Sequence, residues 1–188
     1  MIHRYLPLLL AMATLTAACS GGSGSDVQVF GGSTDIINNR ITLHEGSVTV
    51  RASGAPDATV DAHGQLAIDG HDVTVNDAQR ALLQRYNAAA QAMRTDAIAT
   101  GKAGVATATK AIGAAAGKIT GSANADEASA KADEAAADVK AAAAKICDDL
   151  VSMKTAQDEL ATQLEAFKPY AHALDDANIE KCRKDTRH

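Results

Sequence analysis

The sequence predicts an α+β fold, mostly α: a long antiparallel two-helix hairpin, coiled-coil-like and alanine-rich, on a small antiparallel β meander. Three observations predict it. Residues 27–75 alternate apolar and polar side chains with a period of two, as half-buried strands do. Residues 76–168 switch to apolar repeats at seven-residue intervals in an alanine background, as paired helices do. Aromatic residues make up only 3% of the chain and Trp is absent. Aromatics supply much of the buried area of a bulky core, so an elongated pair of helices with a thin alanine seam fits better than one large core.

Residues 1–18 read as an export signal, with Arg4 in the positive n-region and residues 6–18 as an apolar stretch broken by Pro7. The stretch is too short to span a bilayer. It ends Leu15-Thr16-Ala17-Ala18 before Cys19, which resembles the bacterial lipoprotein signal, where small residues precede a lipid-modified cysteine. Thr16 stands where that signal usually has leucine. Lipidation of Cys19 is the expectation, and ordinary cleavage near Ala18, leaving a soluble periplasmic protein, is the alternative. Residues 19–26, rich in Gly and Ser, form a flexible tether. No Asp follows Cys19. In proteobacterial lipoproteins an Asp there signals retention in the inner membrane, so the resemblance implies the periplasmic side of the outer membrane.

Within residues 27–75 the apolar partners are Ile41 and Leu43, then Val48, Val50 and Ala52, then Leu66 and Ile68, then Val73 and Val75. Asp69-Gly70 suits a two-residue hairpin turn, which needs positive φ, and sets Leu66 against Val73. Gly46, Pro56 and Gly64 break the other strands. Such a ribbon is marginal alone and needs an apolar cover.

The helical pair supplies that cover. Asn76 and Gln79 form a capping-box start. Beyond it Leu82, Leu83, Tyr86 and Met93, followed by Ile98, Val105, Ile112 and Ile119, read as the apolar stripe of the first helix. A second start lies at Asn124, three residues before Glu127. Val139, Ile146, Met153, Leu160 and Phe167 then repeat every seven residues. A turn near 120–124, centred on Ser122, sets Ile98 level with Ile146 and Val105 level with Val139 in helices of about 66 Å. The companion positions Gly101, Ala108, Ala115, Ala132 and Ala143 are small and read as a close-packed seam. Glycines weaken the first helix toward its tip. The larger apolar residues gather at the opposite end, beside the strands. Pro169 closes the second helix, and residues 169–188 hold a short helix and a basic tail.

The run from Asp61 through Gly64 and Gly70, followed by Val73-Thr74-Val75-Asn76-Asp77-Ala78-Gln79-Arg80 and Tyr86, with Lys145-Ile146-Cys147-Asp148 later on, resembles the YggN-like family of exported bacterial proteins. The resemblance covers residues 40–95 and 140–165. It implies a short β segment leading into a helix and an envelope location, and no reaction, because the family's biochemical role is undetermined. Relatives carry a cysteine near the start of the β segment, where this chain has Ser25-Asp26-Val27.

The chain's charge is −5, and loss of Arg4 with the signal leaves −6, which argues against general nucleic-acid binding. With Cys19 lipidated, Cys147 and Cys182 are an even pair in an oxidising compartment. A simple reversal at Pro169 puts Cys182 level with Ala156, about 14 Å from Cys147 by helical rise and out of bonding reach. A bridge and two free thiols both stay open. His63, His71, Asp61 and Asp72 share one turn region without metal-ligand spacing, so no metal site and no cofactor is expected. The acidic pairs Asp148-Asp149, Asp158-Glu159 and Asp175-Asp176 read as solvated helix faces. There is no nucleophile elbow, phosphate loop or dinucleotide fingerprint, and no catalytic residue is expected. The expectation is a non-enzymatic envelope lipoprotein, a structural or protein-interaction module held at the membrane by its lipid, whose arm meets another envelope protein or its own copy. The alternative is a small-ligand or metal-binding periplasmic module using the β base.

Overall fold

The computed structural model describes residues 34–120 and 125–186. The export signal, Cys19, the tether, the hairpin turn with Ser122 and Asn124, and the last two residues lie outside the described residues. Six strands, β1 (Thr34–Ile37), β2 (Ile41–His44), β3 (Ser47–Val50), β4 (Ala58–Val60), β5 (Leu66–Ile68) and β6 (His71–Val73), form one antiparallel sheet in chain order. Short links leave no room for a crossover, so each strand pairs with the next. Asp69 and Gly70 take φ of 51° and 74°, and Leu66 stands opposite Val73, as the turn residues predict. Glu45 and Gly46 repeat the device between β2 and β3. β1 and β4 were not among the predicted strands: β1 sets Ile36 and Ile37 side by side rather than in alternation, and β4 offers only the small Ala58 and one large residue, Val60.

Alternation sorts the two faces of the sheet. Ile41, Leu43, Val48, Val50, Ala58, Val60 and Leu66 are fully buried, and the register sets Leu43 beside Val48, Val48 beside Val60 and Val60 beside Leu66. Thr42, Thr49 and Thr59 stand level on the other face, half-buried.

Two long helices follow, α1 (Asp77–Thr120) and α2 (Ala125–Gln163). The predicted capping box opens α1: the Asn76 side-chain Oδ1 accepts from the Gln79 backbone amide at 2.9 Å, and the Gln79 side-chain Oε1 accepts from the Asn76 backbone amide at 3.0 Å. The Arg85–Glu159 ion pair at 3.2 Å and the bond from the Gln79 side chain to the Gln163 carbonyl at 2.7 Å fix the antiparallel register. Both pairs centre on positions 121–122, where the sequence places the reversal. Leu83, Tyr86, Met153, Leu160 and Phe167 are fully buried in the cluster that also holds the apolar face of the sheet. The Asn87 amide pins helix to sheet by donating to the carbonyls of Gly46 and Val60 at 2.8 and 2.9 Å. Gly64, at φ +73°, lets the β4–β5 loop press onto α1, since a Cβ there would sit 2.5 Å from the Arg80 carbonyl oxygen.

Three expectations change. First, Val105 and Ile112 do not continue the stripe of Leu82, Leu83, Tyr86 and Met93: they are 69% and 71% exposed. Met93 and Ile98 are five residues apart, about 140° around a helix, so the two sets lie on different faces. The half-buried residues that continue the inner face are Asp96, Thr100, Ala103, Gly104 and Thr107, while Gly101 and Ala108 are exposed. Second, α2 stops at Gln163, before Pro169, because Leu164 turns extended (φ −127°, ψ 104°) and a 3-10 helix takes over at Glu165–Tyr170 with Pro169 inside it. Leu164, Phe167 and Tyr170 are all buried. Their three-residue spacing keeps them on one face at roughly three residues per turn. Third, the tail does not reverse simply at Pro169. The buried Gln157 side chain donates to the carbonyls of Ala171 and Leu174 and accepts from the Leu174 amide, which anchors the turn before α3 (Asp176–Asp185).

Beyond Met93 on α1 and Cys147 on α2, toward the turn, no described side chain is buried. The molecule is a cored base of sheet and helix ends carrying a two-helix arm. No helix among the described residues is long and apolar enough to cross a membrane.

Candidate functional site

Polar groups of the base are the first place to look for chemistry, and most are consumed by the fold. Asn87 and Gln157 are buried with their amides bonded to backbone. The Tyr86 hydroxyl is buried with no hydrogen-bond partner, and its ring meets Phe167 edge-on at 5.8 Å. Burial drives its pKa far up, so it stays a neutral phenol with no base bonded to it. A shallow recess of about 320 Å³ lies between α2 and the start of α3, lined by Lys154, Asp158, Thr162, His172 and Asp176 among others. The Lys154 ammonium is held by Asp158 at 2.6 Å and Asp176 at 3.6 Å, and the bond to Asp158 foremost raises its pKa. A lysine so paired is a poor nucleophile.

The residues singled out in the turn region do not converge. His63, His71 and Asp72 are exposed, and the Asp61 carboxylate accepts from the amides of His63 and Gln65. Among the described residues no three of His, Cys, Asp or Glu stand together as a metal site. Cys19 lies outside the described residues. Cys147 and Cys182 are brought together as a disulfide with Cα atoms 5.7 Å apart. The route is the anchored turn: with Leu174 held at Gln157, eight residues along α3 bring Cys182 within about two positions of Cys147, roughly 3 Å of helical rise. The sequence left a bridge and two free thiols both open because it placed the reversal at Pro169, which set the two cysteines out of reach.

Sequence reasoning missed Asp96 and Asp149, which sit at nearly the same level where base gives way to arm. One Asp149 oxygen is buried without a hydrogen-bond partner. Burial first, then the charges of Asp96 and Asp148, raises its pKa. The register that levels Ile98 with Ile146 would have found this pair.

The largest feature left without a covering group is the outside of the arm. Half-buried Ile98 and exposed Val105 and Ile112 recur every seven residues, within about 20° of one line along α1. On α2 the exposed Ala130, Ala137 and Ala144 recur at the same interval. Ala137 lies nine residues from the inward Ile146, half a turn out of phase. The two stripes therefore face away from each other, on opposite sides of the hairpin. Such an arrangement can bind a protein surface, and nothing in it can activate a bond.

Residues 36–133 match the model of a family described as "Protein of unknown function (DUF2884)", a stretch that runs from β1 through all of α1 into α2. No curated protein and no solved structure matches the chain.

Proposed function

Starting from the fact that the chain belongs to the DUF2884 family, we propose that it is a non-enzymatic envelope lipoprotein of the YggN-like kind, tethered through a lipid on Cys19, whose helical arm makes protein–protein contact. The observation that carries this reading is the outward end of the α1 heptad stripe: Val105 and Ile112, at 69% and 71% exposure, are the large apolar residues left in water among the described residues. Exposed apolar residues aligned at helical spacing mark a partner's place more often than those scattered singly. The sequence of residues 15–19 supports the anchor, and the tether of residues 19–26 supports a body held clear of the leaflet.

Two arms of one experiment test the reading in cells making the full chain. Membrane fractionation of the wild type against Cys19→Ser should show the variant lost from the membrane fraction; equal partition of both would remove the anchor. A photo-crosslinking amino acid at the exposed positions 111 and 136 should capture protein at the arm. No adduct from either position would remove the interaction role.

A further inference from the structure

We infer that the partner of the arm is a second copy of this chain, lying beside the first in the same direction, with the α1 stripe of one copy seated on the α2 alanine stripe of the next. The inference rests on the proposed reading of a tethered, arm-bearing protein, and deepens it by naming the occupant. Three observations carry it.

The first is level. Ile98 and Ala144, Val105 and Ala137, and Ile112 and Ala130 are each centred on position 121, the centre of the Gln79–Gln163 contact within one hairpin. Two copies pointing the same way bring α1 of one antiparallel to α2 of the next. The register that folds the hairpin then sets all three pairs opposite one another without a shift.

The second is size. Branched Ile and Val side chains project from α1, and α2 presents only methyl groups on the facing stripe, so knobs of one copy meet shallow holes of the other. An α1-to-α1 contact would instead set large against large.

The third is charge. Between residues 97 and 113, α1 carries Lys102 and Lys110 and no acid, while residues 130–148 of α2 carry Asp133, Glu134, Asp138 and Asp148 against three lysines. Half-buried Arg94, just before the α1 stripe, falls level with the exposed Asp148 beside the α2 stripe of the neighbouring copy.

Because the two stripes lie on opposite sides of each hairpin, the contact is head-to-tail, and each copy keeps one free stripe. A symmetric pair is excluded by this geometry, and rows or rings follow. Copies tethered to one leaflet share a direction and meet at high local concentration, which suits a small interface.

The test uses the full chain in cells with two differently tagged copies, one bearing a photo-crosslinking residue at position 105. The expected result is a mixed-tag adduct mapping to residues 130–144 of the other copy. Ala137→Glu in the acceptor copy should reduce it by about tenfold or more, the effect of placing a charge in an apolar seam. Ala137→Glu in the crosslinker-bearing copy should leave it unchanged. Residue 137 is exposed, so the substitution leaves the base intact, and retention of the Cys147–Cys182 bridge in the variant checks folding. Adducts mapping to residues 98–112 of the other copy, or indifference to Ala137→Glu in the acceptor, overturn the inference. Capture of a different protein alone overturns it while the interaction reading stands. An absence of any adduct from position 105 and from positions 111 and 136 removes both.

Discussion

At Asp149 a half-buried carboxylate has one oxygen shut away from water with no donor, on a helix whose neighbour places Asp96 at nearly the same level. Burial, then Asp96, then Asp148 raise its pKa above the ordinary 3.8. The folded chain therefore holds this proton more tightly than the unfolded chain. Stability from the group is full below pH 3.8 and is lost as pH rises through the folded value. Asp149→Asn, neutral throughout, should raise the melting temperature at pH 7 by a few degrees, with the gain shrinking toward pH 3.8. Thermal melts followed by circular dichroism at the two pH values check this, and an equal effect at both would refute it. Acidic pairs on α2 were legible as charged faces. That Asp149 turns partly inward was not, because solvation depends on which side of α2 meets α1.

At the scale of elements, α1 carries a contradiction within one helix. Its first turns are tightly held by the sheet, and its arm carries glycines with ordinary helical φ. An added Cβ at Gly104 or Gly113 would meet no atom within 4 Å. Gly104→Ala and Gly113→Ala should therefore each stabilise the helix by about 0.5–1 kcal/mol, through reduced freedom of the unfolded chain and better helix propensity. Far-ultraviolet circular dichroism through a urea titration measures it, and no gain from either variant would show that the glycines do not limit the arm. The weak stretch was legible, since glycine's backbone freedom is local. The end of α2 was not: Leu164, Phe167 and Tyr170 take their places in the core only because a 3-10 turn aligns them, and Pro169 fits inside that turn. A proline marks the limit of an α-helix in the chain, whereas the core decided that the break came five residues earlier.

For the whole molecule the bridge between Cys147 and Cys182 ties the last helix to the base across 35 residues of chain. Closing a loop of that length restricts the unfolded state by about 3–4 kcal/mol in the chain-entropy account. Cys182→Ser, or reduction of the wild type, should lower stability by about that amount. Limited proteolysis should then cut near α3 first, leaving sheet and hairpin intact, because the tail's remaining anchors, Tyr170 on the Pro56 carbonyl and Gln157 on Ala171 and Leu174, lie before α3. Equal denaturation midpoints for oxidised and reduced chain would remove the bridge from the account of stability. The base depends on several layers at once: sheet face, helix ends, 3-10 helix and tail share one buried cluster.

The sequence by itself determined four of the six strands of the meander, the capped start of α1 and the register of the hairpin. The strands and the cap rest on short-range rules: a period of two, a turn needing positive φ at Asp69 and Gly70, and an Asn–Gln pair three residues apart. The register rests on two seven-residue repeats meeting about one reversal. Only the tertiary structure decided which face of α1 turns inward. A helix has one rotational phase along its length, advancing about 100° per residue. It is set where the helix is pinned hardest, at Leu83, Tyr86 and Ala90 against the sheet. That phase, carried forward rigidly, turns Asp96, Thr100 and Thr107 toward α2 and leaves Val105 and Ile112 in water.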